Sequence, residues 1–210
     1  MSEVLDKIAE LKIVPVVVLE DEKDAVETAE ALLNGGLGVA EITFRTAAAE
    51  QSIINITKAF PDMLVGAGTV VNVEQAERAL KAGAKFIVTP GFSSKVTEFC
   101  LEHNIPVVPG ILTPTEIMMA MEYGLDLVKF FPAGQNGGVK TIKALSGPFP
   151  NMHFMPTGGV SSENIMEYLN NPKVVACGGS WMVTSALIKN GNWDEITRLT
   201  KEAVELVKGE

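Results

Sequence analysis

The chain has little cysteine, histidine or arginine. The low cysteine content argues against a disulfide-stabilised protein, and the low histidine content argues against a metalloprotein. Its 210 residues include only two cysteines, Cys100 and Cys177, which are too few for a disulfide scaffold. Both lie in apolar segments, so we expect buried, reduced thiols rather than a catalytic nucleophile. The two histidines, His103 and His153, lie on different predicted elements, and no acidic cluster has metal-ligand spacing. We therefore expect no metal ion and no other cofactor.

Positive charge is also scarce. The chain has 26 acidic and 17 basic residues, for a formal net charge of -9. This balance argues against a broad nucleic-acid or membrane-surface footprint, and an anionic ligand would need a few local positive groups. The apolar run at 13–19 is too short to span a bilayer, and the charged N-terminus is unlike a secretory signal. We expect a cytoplasmic protein that binds neither nucleic acid nor membranes.

The chain does contain enough apolar material for one sizeable core. Its hydrophobic fraction is 47% and its charged fraction is 20%, values that exclude a disordered chain. No linker or shift of composition divides it. Residues 1–210 are therefore predicted to form a single domain.

Short apolar, β-branched runs alternate with longer amphipathic runs. Eight strands are predicted to begin near Val14, Val39, Leu64, Phe86, Pro106, Asp126, His153 and Val175. The successive starts are 20 to 27 residues apart, which is room for one strand and one helix. The spacing therefore predicts repeated βαβ units. A further short helix is expected ahead of the first strand, over residues 4–11.

Eight such units can form an open, doubly wound sheet or a closed (β/α)8 TIM barrel. The open sheet would favour a glycine-rich turn directly after its first strand, whereas residues 19–22 are Leu-Glu-Asp-Glu. Glycine pairs instead follow the seventh and eighth strands, at 158–159 and 178–179. In an eight-fold barrel these two loops are adjacent and form the usual phosphate site. The α/β fold that the sequence favours is therefore the TIM barrel.

Active groups of such a barrel gather at the carboxyl ends of its strands, so polar residues there are the candidates. In the second strand, side chains alternate with period two, which places Glu41 and Arg45 on one face. Ile42 and Phe44 take the opposite face, toward the helices. A carboxylate and a guanidinium are thus expected to point into the barrel, where the guanidinium suits a bound carboxylate. A structural ion pair between strands is the alternative.

The sixth strand carries Lys129 within an apolar run. Burial of a lysine is unfavourable unless it is paired or neutral, and desolvation favours the neutral amine. A neutral lysine is a nucleophile toward carbonyls and forms a Schiff base. With Glu41 as a proton carrier, it would make the pair that aldol cleavage through an imine requires. The alternative is a lysine that reaches the rim to form a salt bridge.

The glycine loops after the seventh and eighth strands allow backbone amides to approach an oxyanion. Ser161 or Ser162 is expected to cap the helix that follows the first of these loops. Thr69 closes the third strand, where its hydroxyl could bind a ligand or fill a role in the following turn. Phe92, Phe130 and Phe131 are interpreted as core residues.

Taken in order, a set of fragments resembles the bacterial KHG/KDPG aldolases: EITFRT, GAGTV, TPGF, PGILTPTE, VKFFPA, GGVK, GPFP, PTGGV and GGSW. The resemblance covers nearly the whole chain. It implies a class I aldolase on a (β/α)8 barrel, usually a homotrimer. Such enzymes split 2-keto-3-deoxy-6-phosphogluconate into pyruvate and glyceraldehyde 3-phosphate. A second activity splits 4-hydroxy-2-oxoglutarate into pyruvate and glyoxylate.

The resemblance also implies roles for individual residues. Lys129 matches the Schiff-base lysine, and Glu41 matches the glutamate that transfers protons. Arg45 and Thr69 match the residues that hold the pyruvate carboxylate and the keto-acid portion. The phosphate-binding loops match Gly158, Gly159, Gly179 and Ser180.

Two other functions stay open for such a barrel. A phosphosugar isomerase, epimerase or decarboxylase can use an Asp-x-Lys pair with a metal ion, but Asp126 and Lys129 are three apart, on opposite strand faces. A non-catalytic phosphosugar-binding barrel gives no reason for an inward lysine beside a glutamate. Substrates that differ only in the stereochemistry of one hydroxyl are not distinguished by the sequence.

Overall fold

Parallel strands alternate with helices through the computed structural model, which describes residues 2–209. The strands are β1 (Ile13–Val17), β2 (Val39–Thr43), β3 (Leu64–Gly68), β4 (Ile87–Val88), β5 (Val107–Val108), β6 (Gly110–Ile111), β7 (Leu127–Phe130), β8 (His153–Pro156) and β9 (Cys177–Gly179). The helices are α1 (Glu3–Leu11), α2 (Ala25–Asn34), α3 (Ala49–Ala59), α4 (Val73–Ala82), α5 (Ser94–Glu102), α6 (Pro114–Glu122), α7 (Gly138–Ser146), α8 (Ile165–Leu169), α9 (Ser185–Lys189) and α10 (Trp193–Lys208). Short 3-10 turns lie at Glu22–Asp24 and Gly134–Asn136.

The described strands pair in parallel within two sheets. One sheet has the order β5-β4-β3-β2-β1-β9, and the other has the order β6-β7-β8. Two isolated parallel bridges, Phe154–Val174 and Thr157–Gly178, join the β8 segment to the β9 segment. The predicted α/β fold with repeated parallel βαβ units is therefore confirmed.

The prediction of eight strands in one continuous ring differs from the observed sheets. Nine strands form two sheets, because Pro109 divides the predicted fifth strand into β5 and β6. Proline has no N–H for the ladder, and it interrupts the pairing at this position. The Pro109 carbonyl accepts a hydrogen bond from the Lys129 amide at 2.8 Å. Before this residue β5 pairs with β4, and after it β6 pairs with β7.

The strands are buried on both faces, as expected where helices cover a parallel sheet. Every residue of β1, β2 and β3 is buried. On the outer side of β2, Ile42 and Phe44 are buried, and the Arg78 guanidinium lies 5.9 Å from the Phe44 ring centroid. The contact with Arg78 of α4 confirms the predicted direction of Phe44, toward the helices.

The ends of several helices follow from their sequences. Helix α6 begins at Pro114. Glu116 Oε2 accepts a hydrogen bond from the Thr113 amide at 2.7 Å, which is part of a capping box at the start of this helix. Helix α4 is capped by Asn72, whose Oδ1 accepts the Gln75 amide at 2.8 Å. Among residues 2–209, no helix is both long and apolar enough to span a bilayer.

Both cysteines are buried and free, as predicted. Burial raises the pKa of the Cys100 thiol to about 12 and also raises the pKa of the Cys177 thiol. Neither thiol ionises at neutral pH, and a thiolate is the form that reacts.

The contact of α2 with α10 generates a stability test. Gly35 has φ -76°, which any residue adopts, but a methyl group there would lie 2.5 Å from Cβ of Thr200. We expect Gly35→Ala to lower the free energy of unfolding by about 1–3 kcal/mol, because the two helices must separate. Denaturant titration measures the change. At Gly38 an added methyl has its nearest neighbour 3.9 Å away, so Gly38→Ala is the control. Equal changes in the two variants would contradict the steric explanation.

Candidate active site

Lys129 and Glu41 meet in the interior between the two sheets. The Lys129 Nζ atom donates a hydrogen bond to Glu41 Oε1 at 3.5 Å, and the two side chains are 3% and 0% exposed. Lys129 lies on β7 of the small sheet, and Glu41 lies on β2 of the large sheet. The predicted inward direction of both residues is therefore observed. Lys129 does not extend to the rim, so the salt bridge it forms is a buried one.

The pair is incompletely satisfied. Glu41 Oε2 is buried and has no hydrogen-bond partner among the described residues. The ring centroid of Phe131 lies 4.9 Å from Lys129 Nζ, so an aromatic face supplies part of the amine's surroundings. A buried carboxylate oxygen without a partner is unfavourable in a resting protein. It leaves an acceptor free for a bound molecule.

Arg45 lies at the rim, not in the interior that the alternation predicted. Strand β2 ends at Thr43, and Arg45 stands exposed in the turn that follows. A guanidinium keeps its hydration there, whereas burial beside Lys129 would put two cations together. Arg45 Nε donates to Thr69 Oγ1 at 3.3 Å. The structure thus joins the ends of β2 and β3 through these two side chains.

Thr69 has a strained backbone. Its φ of 55° lies in the left-handed region, which a β-branched residue rarely adopts. Its hydroxyl faces Arg45, while Asn72 caps the following helix, so the turn role considered for Thr69 is not the one observed. This conformation places the Thr69 hydroxyl beside Arg45, where the ends of β2 and β3 meet.

The two glycine loops lie side by side. The Thr157–Gly178 bridge joins their bases, and the backbone of Gly158 and Gly159 has φ 90° and 79°. Gly159 and Ser180 are exposed, whereas Gly179 is buried. The Gly134 amide donates to the Gly158 carbonyl at 2.9 Å, which ties the first loop to the segment after β7.

The prediction that Ser161 or Ser162 caps the next helix is wrong. Helix α8 begins only at Ile165, and the Asn164 side chain holds the loop instead. Its Nδ2 donates to the Gly159 carbonyl at 2.8 Å, and its Oδ1 accepts the Ser161 amide at 2.9 Å. An amide side chain can satisfy a carbonyl and an N–H together, which a serine hydroxyl does less well.

Sequence reasoning missed two residues of this site. Phe131 was assigned to the core, but it is half-buried and faces Lys129; its period-two relation to Lys129 was the available signal. Gly68 lies directly against the Glu41 carboxylate, which no local pattern indicates. Phe130 is fully buried, as expected, and Phe92 is half-buried 5.8 Å from the Tyr123 ring.

The Asp-x-Lys alternative finds no support in the placement of Asp126. That residue is exposed just before the first residue of β7, at the amino end of the strand. Lys129 lies near the carboxyl end, beside Glu41. The two residues therefore do not share a site. Among residues 2–209, no group of three or more His, Cys, Asp or Glu side chains could hold a metal ion.

A buried lysine beside a carboxylate in a parallel α/β fold is the pair that Schiff-base chemistry on a carbonyl requires, and it defines the class of a Schiff-base aldolase. Comparison with known proteins agrees with that class. The family described as "Aldolase: KDPG and KHG aldolase" matches residues 4–199. The 2-dehydro-3-deoxy-phosphogluconate aldolase of Haemophilus influenzae is 47% identical over 207 residues, covering 99% of this chain and 98% of that protein. The chain belongs to the KDPG and KHG aldolase family.

Two solved structures extend the similarity to the fold. KDPG aldolase from Legionella pneumophila, with pyruvate captured at low pH as a covalent carbinolamine, has a TM-score of 0.93 and 40% identity, covering 97% of this chain and 98% of that one. KDPG aldolase of Zymomonas mobilis ZM4 with 3-phosphoglycerate has a TM-score of 0.90 and 37% identity, covering 97% of this chain and 96% of that one.

The buried pair generates a stability prediction. Lys129→Met leaves the Glu41 carboxylate without its cation, and we expect a loss of about 3–5 kcal/mol in the free energy of unfolding. Adding Glu41→Gln to this variant removes the uncompensated charge, so most of the loss should be recovered. Urea titration of the single and double variants at pH 7 measures both. A double variant no more stable than Lys129→Met would show that the charge is not the cause.

Proposed function

We propose that this protein is a class I aldolase that cleaves 2-keto-3-deoxy-6-phosphogluconate to pyruvate and glyceraldehyde 3-phosphate. A second activity converts 4-hydroxy-2-oxoglutarate to pyruvate and glyoxylate. The observation that carries the proposal is the buried Lys129–Glu41 pair at 3.5 Å. The relative with pyruvate captured as a covalent carbinolamine supports a covalent step on an amine in this fold.

Lys129 is the proposed nucleophile. Its neutral amine adds to the C2 ketone, and loss of water from the carbinolamine forms the imine. The protonated imine then accepts the electrons of the C3–C4 bond as that bond breaks, which leaves an enamine of pyruvate. The Phe131 ring lies where a cationic imine would form.

Glu41 is the proposed proton carrier. It takes the proton from the C4 hydroxyl, directly or through a water molecule, as the carbon–carbon bond breaks. It then delivers a proton to C3 of the enamine, and hydrolysis of the imine releases pyruvate. The unpartnered Oε2 supports this role, because an acceptor without a protein partner is free to take a proton from a bound molecule.

The two ends of the substrate have separate proposed partners. Arg45 and Thr69, joined at 3.3 Å, hold the carboxylate and the keto-acid portion. The loops at Gly158, Gly159, Gly179 and Ser180 hold the phosphate through backbone amides and a hydroxyl. A relative that binds 3-phosphoglycerate supports a phosphate site in this fold.

The same proposal includes a closed (β/α)8 barrel that forms one domain over residues 1–210. The Thr157–Gly178 bridge supports closure on one side. On the other side, β5 and β6 are consecutive pieces of chain separated by Pro109 alone, and they pair with β4 and β7. If β5 and β6 are counted as one strand, the number of strands is the predicted eight.

The direct test is incubation with pyruvate and borohydride followed by mass spectrometry of the peptides. We expect a reduced pyruvate adduct on Lys129 and none in Lys129→Ala, which should also lose cleavage activity. Lys140 is an exposed lysine eleven residues further along the chain, and its peptide is the internal control for non-specific labelling. An unmodified Lys129 under conditions that support turnover would reject the mechanism.

Glu41→Gln tests the second role in the same assay. The amide keeps the size of the side chain and loses its basicity, so adduct formation should persist. Exchange of the pyruvate methyl protons with deuterated water should fall by about 100-fold or more, the usual contribution of general acid–base catalysis. Equal losses of trapping and exchange would count against the assigned role.

A cytoplasmic homotrimer is the remaining part of the proposal, and it rests on the resemblance together with one surface. Four of the five large apolar side chains exposed among residues 2–209 are Leu101 at the end of α5 and, on α6, Met118, Met119 and Met121. A cavity of about 440 Å³ continues the surface between α6 and Phe149. Exposed apolar patches of this kind mark interaction surfaces, and a second copy is the proposed occupant.

Replacement of this surface tests the assembly. We expect the Met118→Glu, Met121→Glu double variant to shift the mass in light scattering from trimer toward monomer, because charge is unfavourable in a buried apolar interface. Gln51→Glu on α3 adds a charge at an exposed position elsewhere and should stay trimeric. A monomeric wild-type protein, or a double variant that remains trimeric, would contradict the proposed surface.

A further inference from the structure

Strand β3 has two inward glycines, and a different side chain fills the space beside each. A methyl group built on Gly66 would lie 2.3 Å from the ring of Phe86. A methyl group built on Gly68 would lie 2.0 Å from Glu41 Oε1 and 2.4 Å from Glu41 Cγ. These distances are far below van der Waals contact, so each glycine leaves space that a neighbour already occupies.

Pairing with β2 on one side and with β4 on the other keeps β3 in place. Thr43 and Gly68 are register partners, and the Phe44 amide donates to the Gly68 carbonyl at 2.8 Å. Glu41 itself is the register partner of Gly66, two residues earlier on β3. Its side chain therefore runs along β3 toward the carboxyl end, and its carboxylate lies against Gly68. The space beside Gly66 is filled by the Phe86 ring.

The need for glycine at position 68 is steric rather than conformational. Gly68 is not among the glycines with positive φ, so an alanine backbone is allowed there. The atom nearest to the missing methyl group is Glu41 Oε1, which is also the oxygen 3.5 Å from Lys129 Nζ. A side chain at position 68 would displace the oxygen that faces the amine.

We propose that Gly68 is a positioning residue, whose missing side chain places the Glu41 carboxylate against Lys129. The steric part of this proposal, that a side chain at position 68 displaces the Glu41 carboxylate, follows from the contacts alone. The catalytic part, that this displacement slows proton transfer, rests on the proposed function. Misplacement of a reacting group by about 1 Å can cost about 100-fold in rate. The alanine methyl group would force a displacement of at least that size, because the 2.0 Å approach must open to ordinary contact distance.

A thermodynamic cycle tests the steric part. Gly68→Ala should move the denaturant midpoint of unfolding downward. In the Glu41→Ala background, where the clashing atoms are absent, the same change should have little effect. In the Glu41→Gln background, where an amide of the same size remains, the effect should return in full. Gly38→Ala, an added methyl with ordinary contacts, is the matched control. A loss that is the same in all three backgrounds would overturn the inference.

The catalytic part is tested on the folded Gly68→Ala protein with pyruvate. We expect exchange of the pyruvate methyl protons to slow by about 100-fold, while borohydride trapping on Lys129 and the KM for pyruvate change far less. Equal loss of trapping and exchange, or unchanged exchange, would overturn the positioning role.

If Gly68→Ala does not fold, Gly68→Ala with Glu41→Asp provides the readout, since the shorter carboxylate leaves room for the methyl. That double variant should then exchange the pyruvate methyl protons faster than Glu41→Gln, which lacks the proton carrier. Equal or slower exchange would overturn the positioning role of Gly68.

A wild-type protein that neither traps pyruvate nor exchanges its methyl protons would reject the proposed function. Coupling between positions 68 and 41 in the unfolding cycle would even then support the steric part. The two measurements therefore separate a failure of the inference from a failure of the function on which its catalytic part rests.

Discussion

The structure depends on one ion pair that has been removed from water. At about 4 Å, two unit charges near a protein interior attract each other by roughly 4 kcal/mol, while desolvation costs several kcal/mol for each ion. The Lys129–Glu41 pair recovers only part of that cost, because the two ions share one contact of 3.5 Å and Glu41 Oε2 has no partner. A pair arranged for stability would be closer and fully hydrogen-bonded. This geometry is better suited to a site that a bound molecule completes, and it explains why the surrounding positions are constrained.

Those constraints come from three directions. Phe131 faces the amine, Gly68 leaves space for the carboxylate, and the register of β2 with β3 fixes where that space lies. The alternative of an ion pair between strands is also observed for Glu41, since its carboxylate on β2 pairs with Lys129 on β7. The same two residues can be both an ion pair and a catalytic pair, since the salt form and the neutral amine with a carboxylic acid differ by one proton transfer.

The fold and the chemistry of the site were accessible to sequence reasoning to different degrees. Strand–helix alternation predicted the parallel βαβ units, and a lysine inside an apolar strand predicted its own inward direction. The meeting of Lys129 with Glu41 could not be derived from local patterns, because 88 residues separate them. The period-two rule also failed at Arg45, where the strand had already ended at Thr43. Pro109 and Gly68 show the same limit, because the effect of each depends on partners from other strands.

The distribution of positive charge explains how an acidic protein could bind a substrate with two anionic groups. Arg78 and Arg198 are held by glutamates on the helices, and Arg45 is the arginine left for the site. A fork-shaped cation suits a carboxylate, whereas glycine loops offer backbone amides to a phosphate. Under the proposed roles these donors differ in kind and lie at different strand ends, so a keto acid with a phosphate at its far end would bind in one direction. Its ketone would then face Lys129, and the positions of the charges at the rim would support the chemistry of the interior pair.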